Sequence, residues 1–307
     1  RRHRGEPPDR PRGEPVKVDL HTHTRASDGT QSPTELVTAA VAAGVDVLGV
    51  TDHDTAEGWD EAARAADAAG LGLVRGMEVS TRLDGRGVHL LAYLPDPTYP
   101  PLVALLDKVL EGRSSRVPAV LARLREVDVE LSEDDVARVS GDAAASGRPH
   151  IADALVVAGV VADRDEAFRR FLNPGMPGYV DRYAAPLRET IRVVAEAGGV
   201  SVIAHAWGRR RTRTPDEAAI AELADLGLVG LEVDHQDHDA GARDALRAIA
   251  RNLDLVVTGS SDHHGTGKVG HDLACNTTAP EELERLLDAA ARARAASGRP
   301  APEPLGL

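Results

Sequence analysis

Short runs of β-branched and aliphatic residues alternate with Ala-rich stretches along most of the chain, and this rhythm restricts its fold more than any other feature. Val16 to Leu20, Val45 to Val50, Leu71 to Val79, Val88 to Tyr93, Val200 to Ala204, Leu228 to Val233 and Leu255 to Thr258 are the strand candidates. Their hydrophobicity is continuous rather than alternating, the pattern of strands covered on both faces in parallel α/β architecture. Caps announce the helices between them. Ser32-Pro33-Thr34-Glu35 supplies an N-cap, a proline for the first helical position and a glutamate placed for a capping box, and Thr214-Pro215-Asp216-Glu217 repeats the arrangement. Gly44 closes the first helix, and Gly198-Gly199 ends the one before Val200.

The rhythm breaks after Tyr99. Leu102 to Val127, Ser132 to Val139, Ile151 to Val157 and Asp165 to Leu172 read as helices without intervening strands, and Asn173 to Gly178 is a proline and glycine cluster that marks a return. Residues 99–177 therefore read as a helical insert covering the active site, inside an α/β body formed by 16–98 and 178–299; additional helices of the body are the plainer alternative. Residues 1–15, rich in Arg, Pro and Gly, read as a disordered extension. His21-Thr22-His23 follows the first strand where a dinucleotide fold would carry its glycine-rich phosphate loop, so a barrel is expected in place of an open doubly wound sheet.

Chemistry-bearing residues recur at the strand ends. His21 and His23 are two apart on an extended segment and so face one side. Asp28 follows in a loop, the second strand ends in Thr51-Asp52-His53-Asp54, and the third carries Glu78 and the fourth His89. The fifth ends in Ala204-His205, and the last runs into Ser261-Asp262-His263-His264. A lone histidine in such a place is usually a satisfied core or surface residue. Six strand ends presenting His, Asp or Glu are another matter, because a barrel gathers its strand ends at one rim.

Cys275 is the only cysteine, which excludes an intrachain disulfide and a thiolate-ligated metal and fits a reducing, cytoplasmic setting. Imidazole and carboxylate donors suit Mn, Fe or Zn. The formal charge of −13 opposes long duplex nucleic acid and anionic membranes as partners, and no run of about 18 apolar residues suggests a membrane span. Few aromatics are present to stack the bases of a long single strand. The oligomeric state is not legible.

These segments resemble the polymerase and histidinol phosphatase (PHP) superfamily, and within it the small-nucleotide phosphoesterase branch. The matching motifs are Asp19-Leu20-His21-Thr22-His23 with Ser27-Asp28-Gly29, Thr51-Asp52-His53-Asp54, Gly76-Met77-Glu78-Val79-Ser80, His89, Ala204-His205 and Ser261-Asp262-His263-His264. The resemblance implies a distorted (β/α)7 barrel with a helical insertion and a trinuclear centre. His21, His23, Glu78 and Asp262 would hold one metal, Glu78 with His89 and His205 a second, and Asp28, His53 and His264 a third. Nine donors exceed the needs of one ion, which argues independently for two or three divalent cations. The implied reaction is in-line attack on phosphorus by hydroxide held between metals, with Glu78 and Asp262 as the catalytic carboxylates and no protein nucleophile.

Gly147-Arg148-Pro149-His150 resembles a signature of the same branch. Arg148 offers a planar fork for phosphate, and His150 a phosphate contact or a proton for the leaving oxygen; a cap region with a surface salt bridge is the plainer reading. Arg209 to Arg213 is a basic run beyond His205, either a solvated loop or a phosphate contact through Arg209, although Ala206 stands where the family often has proline. Glu232, Asp234, His235 and His238 suit roles behind the ligands or in the pocket wall; His263 should point away, and His271 is either behind a ligand or exposed.

The expected function is hydrolysis of a small-nucleotide phosphomonoester, favouring a 3',5'-nucleoside bisphosphate whose 3'-phosphate is removed to give the 5'-monophosphate. A 5'-3' exonuclease acting on short 5'-phosphorylated oligonucleotides, a histidinol-phosphate phosphatase and a non-catalytic metal-stabilised binding module are the alternatives. The partner is thus a small phosphorylated nucleotide or a short oligonucleotide.

Overall fold

A computed structural model describes residues 16–208 and 215–307; the proposed extension at 1–15 and the Arg209 to Arg213 run lie outside the described residues. The main strands are β1 (Val18–Thr22), β2 (Val47–Val50), β3 (Gly72–Leu83), β4 (Arg86–Tyr93), β5 (Ala185–Pro186), β6 (Val200–Ile203), β7 (Leu228–Asp234) and β8 (Val256–Gly259). They form one curled mixed sheet in the order β1-β2-β3-β4-β6-β7-β8, with β5 paired to β3 off this path. Thr22, at the end of β1, bridges His263, just beyond β8, so the two edges of the sheet approach one another at the ligand-bearing end.

The regular alternation expected of a parallel barrel fails in the middle. β4 runs antiparallel to both β3 and β6. β3 and β4 are joined by Asp84 and Gly85, both at positive φ (48° and 81°), the requirement of a two-residue type I′ turn that folds the chain back without a crossover helix. The two-residue β5 was not visible in the sequence pattern. It lies beside Thr81 and Arg82 and brings the chain back from the insert.

The helical expectations hold with local corrections. Ser32 caps Pro33–Ala42 in a full capping box with Glu35. Asp216, not Thr214, caps Glu217–Asp225, its side chain accepting from the Ala219 N–H. The segment expected as one helix over Leu102 to Val127 is two, Pro100–Ser114 and Val117–Arg125. Pro118 lacks an N–H and starts a helix better than it continues one. Asp165 to Leu172 resolves into a short helix, Arg164–Ala167, followed by the π-helical turn Phe168–Leu172.

Val18, Leu20, Val74, Leu91, Tyr93, Val202 and Val256 share one apolar core with Leu283 and Leu286 of the helix Pro280–Ser297. The insert has its own core, formed by Val120, Leu121, Leu124, Ile151, Leu155, Phe171 and Leu172. The first helix after β4 packs Leu102, Leu105, Leu106 and Val109 against Met77 and Val79 of β3, which seats the helical segment on the sheet beside Glu78. Among the described residues no helix is long and apolar enough to cross a membrane.

Candidate metal centre

His21 on β1 and His23 just beyond its end are both buried, their Nε2 atoms 3.1 Å apart. His21 Nε2 lies 3.2 Å from Glu78 Oε2 and 3.5 Å from Asp262 Oδ1; His23 Nε2 lies 3.1 and 3.4 Å from the same oxygens. Donors from β1, β3 and the segment after β8 thus converge on one point. Burial works against a charged imidazole, yet Asp262 and Glu78 raise His23 to about 9. A pocket negative enough to favour the charged forms of His21 and His23 is one that a divalent cation satisfies better.

Glu78 faces two ways. Its Oε2 meets His21, His23 and, at 3.1 Å, His53 Nδ1; its Oε1 meets His89 Nδ1 at 2.6 Å and His205 Nε2 at 3.0 Å. Burial opposes its ionisation, but His53, His89 and His21 hold the carboxyl well below the usual glutamate range. The tight donor group around it is His53, Glu78 and His89; His205 approaches through Glu78 Oε1 without joining any such group. Asp28 collects the remaining donors. His264 Nε2 lies 3.3 Å from Oδ1, His53 Nε2 3.6 Å from Oδ2, and His23 belongs to this group as well. Burial and the neighbouring His23 push His264 down to about 4, so it is neutral at pH 7, as a ligand must be. Eight of the nine expected donors fall into groups able to hold divalent cations, and the ninth, His205, lies against Glu78.

A fourth donor group comprises His235, Asp262 and His271, and here a protein cation is already at work. Lys268 donates to Asp262 Oδ2, which also accepts from His235 Nε2 at 3.2 Å. The Asp237 N–H donates to His235 Nδ1, so the His235 proton sits on Nε2, where a metal would need a lone pair. His263 points elsewhere, to Gln31 and the His271 carbonyl. His238 accepts the Trp207 N–H and supports the turn after His205, and Asp234 pairs with Arg247.

The Asp28 loop is built by residues the sequence reading left unassigned. Asp52 accepts from the Thr24 N–H, the Thr24 hydroxyl and the Ser27 hydroxyl, and Arg164 donates to the Asp28 carbonyl at 2.9 Å. His150 belongs to this scaffold, which corrects the expectation of a proton donor. Its Nδ1 accepts the Gly147 N–H at 3.0 Å and its Nε2 lies 2.9 Å from the Ser27 carbonyl, so both ring nitrogens are spent on backbone. His150→Ala strands two buried partners and is expected to cost about 1–3 kcal/mol of stability. Thermal unfolding checks this, with the acid limb of the rate–pH profile keeping its position.

Arg148 sits among other arginines. Its Nη1 donates to the Leu172 carbonyl at 3.0 Å, and its guanidinium lies over the rings of Phe168 and Tyr179. Arg113 donates to Asp54 at 2.6 Å and, with Arg182, to the Ser80 hydroxyl, directly across the β3–β4 ladder from His89. Arg116 is only 7% exposed, and its Nε has no hydrogen-bond partner. Burial and the like charges of Arg148, Arg182 and Arg113 push it down to about 8, so at neutral pH it remains a cation that Tyr179 and Asp181 only partly offset. Such a group calls for an anion.

Comparison with known proteins accords with this geometry. The PHP domain model matches residues 19–130. A 3',5'-nucleoside bisphosphate phosphatase of Chromobacterium violaceum is 34% identical over 84% of this chain and 90% of its own length. The chain belongs to the PHP family. A 5'-3' exoribonuclease of Haemophilus influenzae shares 35% identity over 81% of the PHP chain and 90% of its own length. Among solved structures, an amidohydrolase of Chromobacterium violaceum with bound sulfate and no metal matches at a TM-score of 0.80, with 32% identity, covering 88% of this chain and 97% of that one. The PHP match ends before His205, Asp262 and His264, yet the fold brings these three against donors that lie within it. This is a metal-binding phosphoesterase.

Proposed function

We propose that the enzyme removes the 3'-phosphate from a 3',5'-nucleoside bisphosphate, leaving the 5'-monophosphate. The observation that carries this reading is Arg116, buried with an unpartnered Nε among Arg113, Arg148 and Arg182, of which Arg113 also faces His53. Two anion-seeking sites then lie side by side, as a substrate with two phosphates requires. His21, His23, Glu78 and Asp262 would hold one divalent cation, Glu78, His89 and His205 a second, and Asp28, His53 and His264 a third. Bound cations supply Lewis acidity and an activated water. The chain's own part is to orient. Asp54 and Ser80 hold Arg113 and Arg182, Arg116 and Arg148 take the 5'-phosphate, and the insert excludes water from the cavity. The bisphosphate phosphatase of Chromobacterium violaceum supports the reading, as a relative of similar length.

A second reading rests on the exoribonuclease relative. The same arginines would take the 5'-phosphate of a short oligonucleotide, with the first phosphodiester at the metals. Phosphate release after Mn²⁺ reconstitution is to be measured on adenosine 3',5'-bisphosphate and the 3'- and 5'-monophosphates, beside cleavage of 5'-phosphorylated di- to pentanucleotides. The bisphosphate is expected to be turned over with the highest kcat/KM. Oligonucleotide cleavage with no bisphosphate turnover gives the second reading and overturns the first.

A further inference from the structure

Glu232 is a buried carboxylate on β7 that belongs to none of the donor groups. Its Oε1 accepts the Nδ1–H of His21 at 2.9 Å and the hydroxyl of Ser260. Its Oε2 accepts the backbone N–H of His205 at 2.7 Å. These two histidines lie on opposite oxygens of Glu78, His21 on Oε2 and His205 on Oε1. Glu232 therefore reaches one donor on each side of the shared carboxylate.

Each bond fixes something that the donor's own chain leaves open. The Nδ1–H of His21, given to Glu232, puts the lone pair on Nε2, the atom facing Glu78, His23 and Asp262. His205 has φ +28°, a backbone region that residues other than glycine avoid. The bond from its own N–H holds the turn that aims Nε2 at Glu78. The Asp28, His53 and His264 group, which His23 also joins, takes its support from elsewhere than Glu232: Asp52, Arg164 and His150 hold the Asp28 loop, and the Asp262 carbonyl fixes the tautomer of His264 through its Nδ1.

We propose that Glu232 is a positioning residue that sets the affinity of both cation sites sharing Glu78 and leaves the third site independent. The inference rests on the metal-centre reading but not on any choice of substrate. Three donors converge on Glu232: an imidazole N–H, a backbone N–H and a hydroxyl. A carboxylate satisfies all three. The amide of Glu232→Gln turns an NH₂ toward His21 or His205, donor against donor, so one ligand must swing away.

The test is equilibrium dialysis of the metal-free protein against graded free Mn²⁺, with bound metal counted by elemental analysis. Glu232→Gln is expected to weaken two of the bound equivalents about 10- to 100-fold, the range found for partners of metal-ligating histidines, and to leave the third at its wild-type affinity. Ser260→Ala removes one donor while keeping both ligand bonds, and its isotherm should overlay the wild type. Should Glu232→Gln fail to fold, Glu232→Asp provides the same reading, being one methylene too short to span His21 and His205. An unchanged isotherm, or equal weakening of all equivalents together with a lower Tm of the metal-free protein, overturns the proposal. A wild type that binds no metal would overturn the centre itself, whereas an error in substrate leaves these isotherms unaltered.

Discussion

Glu78→Gln is expected to abolish the shared site: bound metal should fall by at least one equivalent, and phosphate release by roughly 10³-fold, because a Lewis-acid contribution of several kcal/mol at about 1.4 kcal/mol per tenfold is lost. The size follows from position. Both oxygens of Glu78 are engaged, one toward His21, His23 and His53, the other toward His89 and His205. An amide keeps the shape but removes the charge, and its NH₂ faces imidazole nitrogens whose lone pairs a cation should receive. Asp262→Asn should be milder, since Oδ2 of that residue already answers to Lys268 and His235. Elemental analysis and single-turnover phosphate release check both variants. Full metal content with unchanged turnover in Glu78→Gln would remove Glu78 from the centre.

The ligands were legible because each is announced locally. For most of them an apolar run ends and a histidine or carboxylate follows, whereas Glu78 and His89 lie inside β3 and β4. Asp84-Gly85 turns β3 into the antiparallel β4, and His89 still reaches Glu78 because it lies in register with Ser80. What periodicity does not encode is which distant polar residues meet. Asp52 and Asp54 flank His53 in one motif. One shapes the loop that carries Asp28 and the other receives Arg113 from the insert, a division visible only in three dimensions. His150 illustrates the reverse case: proton donation needs a ring nitrogen, and both of its nitrogens are bonded to backbone. The arginines at 113, 116 and 182 carry no motif and are brought together by packing of the insert against β3.

That arginine pocket yields the second large effect. Replacing Arg116 and Arg148 together by Met is expected to raise KM for the bisphosphate roughly 10³-fold, because two hydrogen-bonded contacts to a charged group contribute about 1.5–3 kcal/mol each. Turnover of the 3'-monophosphate, which lacks the second phosphate, should barely change, and metal content should stay at the wild-type level since Asp54 keeps Arg113 beside His53. Stability should move in the opposite direction. Arg116 is buried among like charges with an unpaired Nε, so Arg116→Met alone is expected to raise the Tm of the anion-free protein. In the wild type the same rise should follow addition of the bisphosphate, whose charge supplies what the fold leaves out. A merely structural arginine would behave otherwise: its loss would lower Tm and reduce turnover of both nucleotides alike. A pocket that stores unfavourable burial until its ligand arrives predicts instead a more stable protein that no longer distinguishes one phosphate from two.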